Sequence, residues 1–171
     1  MSMEAWVPLS KAEEDAAWEH FFADLHFPMG QHAGKEPAPS VTYSIAHAFN
    51  AGMDARVSLE DELDDKILIT LKHCVPLDGR VYALDWQHMC YWFYPHRMAE
   101  SGSWDAWKVP VLPDGDFYVF LAEDWSFCIF GDCINLTICI YGRCLLDTLA
   151  ANLPALFTRV IRIDGQLVVH E

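Results

Sequence analysis

Bases are scarce in this chain: 11 Lys and Arg stand against 25 Asp and Glu, a formal net charge of −14 over 171 residues. A surface of that sign repels nucleic acid and anionic membranes, and it steers basic partners inward. Long apolar runs are also missing. The longest candidate, Phe127 to Gly142, is broken by Asp132 and Asn135 and falls short of the roughly 18 uncharged residues of a membrane span. The start, "MSMEAWVPLSKAEED", has neither a basic lead nor an apolar stretch and reads as lacking a secretory signal. Six cysteines are present, at 74, 90, 128, 133, 139 and 144, without a C-x-x-C pair. Several lie inside apolar runs, as a small buried hydrophobe does, so they read as reduced thiols of a cytoplasmic protein rather than a disulfide framework.

Chemical signatures are equally sparse. There is no H-E-x-x-H, no His pair at i, i+4, no G-x-S-x-G elbow, no phosphate loop and no dinucleotide fingerprint. The spacing C-x4-C-x5-C-x4-C from Cys128 to Cys144 is not a zinc pattern. No catalytic residue, metal ligand or cofactor is therefore assigned. Cys90 lies near His88 and His96 in sequence, but a buried thiol is usually inert.

What the chain does have is apolar material: 53% hydrophobic residues, with seven Trp, ten Phe and six Tyr. At this length roughly 70% of the unfolded surface can be buried, which suits one globular domain over 1–171. Ser10 and Glu13 form a capping box, and Ala17, Trp18, Phe21, Phe22 and Leu25 recur at helical spacing, predicting a helix over Lys11–Asp24. Pro28 to Ser40 reads as a loop and Val41–Ile45 as a short strand. A second helix is expected from a Ser58 cap, with Leu59, Leu63, Ile67, Leu68, Leu71 and Val75 on its stripe. The "ILIT" core within Lys66–Lys72 could alternatively be a strand.

After the turn "PLDGR", alternation over "VYALDWQHMCYWFY" puts Tyr82, Leu84, Trp86, His88, Cys90, Trp92 and Tyr94 on one face. Fourteen residues is long for one strand, so two strands, or one bent near Gln87-His88, are expected. "LPDGD" (Leu112 to Asp116) is another turn, leading into "FYVFLAED". Two more strands follow, then a helix ended by Pro154 and a hairpin around Asp164-Gly165. The order predicts an α+β fold, a mainly antiparallel sheet packed with two or three helices.

Two sets of residues are candidate sites. The acids Glu60, Asp61, Glu62, Asp64 and Asp65 are a solvated helix face or a docking patch for a basic protein. Asp85, His88, Arg97, Asp114 and Asp116 fall at strand ends and turns, where they either satisfy local structure or form a polar pocket of a small-molecule binder or enzyme.

The segments "YALDWQHMCYWFYPHRM", "WKVPVLPDGDFYVFLAEDWSFCIFG" and "TICIYGRCLL" together resemble a bacterial family, domain of unknown function 2716. Its members show an aromatic "YALDWQH" segment, a "PDGDYY" turn-strand, a glycine-bounded strand and a final helix. Asp85 to His88 and Pro113 to Tyr118 carry the resemblance. In place of a "GHPWE"-like stretch this chain has "GDCINL" (Gly131 to Leu136). The resemblance implies a fold and no mechanism. By type, small acidic single-domain bacterial proteins look like immunity proteins. The expectation is a cytoplasmic binding protein that neutralises a basic cognate toxin domain and binds neither nucleic acid nor membrane.

Overall fold

The computed structural model describes residues 3–27, 29, 36–99 and 106–169. Its centre is one nine-stranded, wholly antiparallel sheet. The strands are β1 (Trp6–Pro8), β2 (Ser40–Ser44), β3 (Val81–Asp85), β4 (Tyr91–Phe93), β5 (Tyr118–Ala122), β6 (Cys128–Asp132), β7 (Thr137–Tyr141), β8 (Arg159–Ile163) and β9 (Gln166–Leu167). Their spatial order is β1-β4-β3-β5-β6-β7-β2-β8-β9. Four helices accompany them among the described residues: α1 (Lys11–Ala23), α2 (Ala46–Asn50), α3 (Met53–Cys74) and α4 (Arg143–Ala150), with a 3-10 turn at Pro95–Arg97. The α+β class and the antiparallel sheet are as expected; against the two or three helices anticipated there are four, the addition being the single short turn of α2.

The sheet is covered on both faces, which explains its continuous hydrophobic strands. On one side α1 places Ala17 and Phe21, with Leu25 and Phe27 beyond it, over Tyr82, Leu84, Trp92, Val119 and Phe130. On the other, Leu63, Ile67, Leu68 and Leu71 of α3 and Leu145 and Leu149 of α4 pack on Val81, Ala83, Phe93, Phe120, Ile129 and Ile140. Alternation within β3 and β4 therefore sorts residues as the pattern predicts. The long aromatic segment is two strands, and the chain turns at 86–90.

Helix α1 begins at the expected cap: Ser10 Oγ accepts from Glu13 N, and Glu13 Oε2 accepts from Ser10 N at 2.8 Å. Helix α3 departs from expectation. It starts at Met53 behind Gly52, so Ser58 lies inside the helix rather than capping it, and Lys66–Lys72 is helical, not a strand. The loop expected over Pro28–Ser40 ends as β2 begins at Ser40, and most of its first half lies outside the described residues. The closing hairpin turns through Asp164 (φ 52°) and Gly165 (φ 76°), the left-handed pair that a two-residue hairpin demands.

The cysteine expectation needs correcting. Cys74 and Cys144 are disulfide-bonded, with Cα atoms 5.8 Å apart, where the C-terminus of α3 meets the start of α4. The partners are 70 residues apart, so only the packing of these two helices brings them together. Cys90, Cys128 and Cys139 are free and buried, and Cys133 is free and partly exposed. Among the described residues, no helix is long and apolar enough to cross a membrane.

Candidate functional site

Strand β3 ends at Asp85, paired with Tyr118 of β5. The ladder continues one step, as Trp86 N donates to Phe117 O at 3.2 Å. The next residues in each direction, Gln87 and Asp116, are thus brought face to face. Gln87 N–H donates to both Asp85 Oδ1 and Asp116 Oδ2, each at 3.1 Å. His88 N donates to Asp85 Oδ1 as well, and Phe117 N donates to Asp116 Oδ1 at 2.8 Å. The two carboxylates are almost fully enclosed, with Asp85 6% and Asp116 4% exposed.

His88 completes the group from the solvent side. Its Nδ1 is 3.0 Å from Asp85 Oδ1 and 3.5 Å from Asp116 Oδ2, and its side chain is 71% exposed. Burial pushes the Asp85 carboxyl up, its hydrogen bond with Asp116 pushes further, and His88 and Gln87 pull the other way. His88 is raised in turn, first by its hydrogen bond to Asp85. Ligand atoms of the two carboxylates and His88 all lie within 4.8 Å of one another, and His88 is the side chain that pairs with both acids.

The turn before β5 supplies Asp114 and Asp116 from one "PDGD" stretch. Gly115 sits at φ 151°, in the region that favours glycine. Asp114 is exposed and does not merely brace its own turn: its Oδ1 accepts from the Tyr118 hydroxyl at 3.0 Å. That phenol is pushed upward by burial and then by the Asp114, Asp85 and Asp116 charges.

The two candidate sets meet at this end of the sheet. Glu60 of α3 is raised by burial and then by the charge of Asp114. Asp64 is 9% exposed, its Oδ1 has no hydrogen-bond partner, and burial followed by Glu60, Asp61 and Asp65 pushes its carboxyl up to about 8. Asp64 thus presents no charge to solvent at neutral pH. Asp61 and Asp65 are exposed. Glu62 is half-buried, pairs with Lys66 at 2.7 Å and accepts from Ala155 N.

Arg97 does not join them. Its guanidinium donates to Glu4 O at 3.1 Å and lies 3.5 Å over the Tyr94 ring, past the other end of β4. Cys90, near His88 and His96 in sequence, is buried as expected and pairs with neither imidazole. Cys90 Sγ contacts the Asp85 backbone at 3.4 Å, burial pushes the thiol up to about 11, and His96 Nε2 contacts Val75 O. The altered stretch at Gly131 to Leu136 is the β6–β7 turn, and Asp132 accepts from Ile134 N and Asn135 N within it.

The sequence reading missed an aromatic cluster beside the acids. Trp86 is 48% exposed and packs edge-on against Trp18, ring centroids 5.3 Å apart, and against Phe22 at 6.0 Å. Met89 is exposed on the same turn and borders a cleft of about 450 Å³ shared with Glu4, Trp6, Pro8, Tyr91 and Lys108. Strand parity gave Trp86 the correct face, toward α1, but at the last step of the ladder the sheet ends and the ring is left half-exposed.

A family model described as "Protein of unknown function (DUF2716)" matches residues 8–146. Uncharacterized protein YxiI of Bacillus subtilis (strain 168) is 30% identical over 156 residues, which span 89% of this chain and 96% of that one. No solved structure matches the chain.

Proposed function

The chain belongs to the DUF2716 family of proteins of unknown function, and from that premise we propose that it is a binding protein that docks a basic protein partner at the acidic end of its sheet. The observation that carries this reading is the half-exposed Trp86, flanked by Trp18 and Phe22 and adjoining Asp85, Asp116 and His88. An aromatic anchor beside charged residues is how binding energy concentrates in protein interfaces. The surrounding acids supply steering, since the chain carries −14 net charge. An interface of standard size buries about 1,600 Å² in total.

The functional class proposed is an immunity protein that neutralises a cognate bacterial toxin domain, by analogy with small acidic binding proteins. The same acids disfavour nucleic acid and anionic membranes as partners. The cytoplasm is the compartment this reading favours, and four free cysteines, three of them buried, support it. The Cys74–Cys144 bond is the feature a reducing compartment would oppose. Alkylation and mass spectrometry of protein taken from cells separate the two states.

Co-expression with the product of the neighbouring gene tests the proposal. The expected result is a stable complex by size exclusion and rescue of growth, with Trp86→Ala weakening binding by on the order of 2 kcal/mol. No complex and no rescue would overturn it.

A second reading, a small-molecule binder or acid–base enzyme, is favoured by the convergence of Asp85, His88 and Asp116 alone. It requires that metabolite screening find a ligand whose binding is lost in Asp116→Asn.

A further inference from the structure

We propose that Asp85, His88 and Asp116 form a binding site for one divalent first-row transition-metal ion, of the class of Zn²⁺ or Mn²⁺. One ligand atom from each residue falls within a 4.8 Å span, from His88 Nδ1 and the two carboxylates. Two of the three edges, from His88 Nδ1 to Asp85 Oδ1 at 3.0 Å and to Asp116 Oδ2 at 3.5 Å, match the separations of neighbouring ligands around such an ion. Bonds of about 2.1 Å give edges of roughly 3.0 Å in octahedral and 3.4 Å in tetrahedral geometry.

The donor set fits this metal class. One imidazole nitrogen with two carboxylate oxygens is a borderline set, neither the all-oxygen shell of Ca²⁺ nor the thiolate shell of a structural zinc. The carboxylates are pre-oriented, since Gln87 N–H donates to both and Phe117 N–H fixes the second oxygen of Asp116. Backbone donors of this kind play the part that outer-shell groups play at metal centres. Asp85 and Asp116 are each more than nine-tenths buried, and among the described residues their ion pairs are with His88 alone.

His88 lies on the solvent side, so three protein ligands would leave coordination positions open to water or to an oxygen ligand. The pieces come from the "LDWQH" turn and the "PDGD" turn, two segments 31 residues apart at Asp85 and Asp116. This inference is independent of partner docking, and its test uses no partner.

The test is calorimetric titration of the chelator-treated full-length protein with MnCl₂ and, separately, ZnCl₂, alongside the Mn²⁺ electron-spin-resonance signal. The expected result is one saturable site, with affinity reduced at least about tenfold in both His88→Ala and Asp116→Asn. His88 is exposed, so its variant keeps the fold even where a buried Asp substitution does not. His20→Ala, a histidine remote from the site, should bind as the parent does. No saturable binding would overturn the proposal, as would binding that both site variants retain, since the ion would then sit elsewhere.

Discussion

The two ends of strand β3 handle charge in opposite ways. At its start, Arg80 meets Glu123: Nη2 and Nε lie 2.8 and 3.1 Å from Glu123 Oε1. The guanidinium also stacks 3.6 Å over the Trp92 ring and reaches the Tyr94 hydroxyl. Arg97 lies over the Tyr94 ring, and Cys74, held to Cys144 of α4, lines a cleft of about 280 Å³ together with Arg80 and Glu123. At its far end, Asp85 meets Asp116 and a single exposed histidine, with Asp114 bound to Tyr118 beside them and Glu60 of α3 feeling the Asp114 charge. One end satisfies its charges internally. The other gathers charge of one sign under low exposure, an arrangement that costs stability unless something outside the chain answers it.

Removing the disulfide should give the largest change. Cys74→Ser with Cys144→Ser opens a 70-residue span, and loop-closure entropy predicts a loss of about 4 kcal/mol by denaturant unfolding. That loss should be the same with and without a bound partner, because the bond belongs to the self-satisfied end.

Asp64 should behave in the reverse sense. Its folded carboxyl titrates at about 8 against an ordinary value of 3.8, so between those values the folded state holds a proton that the unfolded chain has released. Stability therefore falls as pH rises through that window. Asp64→Asn removes this slope and should raise stability at pH 8 by on the order of a few kcal/mol, with little gain at pH 4. Equal effects at both pH values would mean the carboxylate is not forced neutral.

How much of this was legible follows from how local each signal is. The α1 capping box is four residues wide and appears in the structure as written. The start of α3 was misplaced because Gly52 makes no side-chain cap bond, whereas Ser58 looked like one. The burial of Asp64 was readable. It stands three and four positions before Ile67 and Leu68, on the apolar stripe itself, and grouping it with its acidic neighbours obscured that. The encounter of Asp85 with Asp116 was not readable, because it depends on β3 pairing with β5 rather than on any spacing. The disulfide depends on tertiary contact in the same way.

A smaller effect is expected from Arg80→Ala. The pair with Glu123 is partly exposed, so about 1 kcal/mol is lost, from the ion pair and the stacking on Trp92 together. Binding of a basic partner should not change. The least effect on stability, within about 0.5 kcal/mol, belongs to Asp61→Asn with Asp65→Asn, both exposed on α3. Stopped-flow association at two salt concentrations should nevertheless show a slower on-rate and a shallower salt dependence, because charges at an interface rim act mainly on encounter. An unchanged on-rate and salt slope would reduce this helix face to a solvated surface.

The most direct measurement is hydrogen–deuterium exchange on the chain alone and in complex with the neighbouring gene's product. The account predicts new protection in segments 86–90 and 112–117 and none in 76–80 or 123–127. Protection confined to the Arg80–Glu123 end, or the absence of any complex, would contradict it.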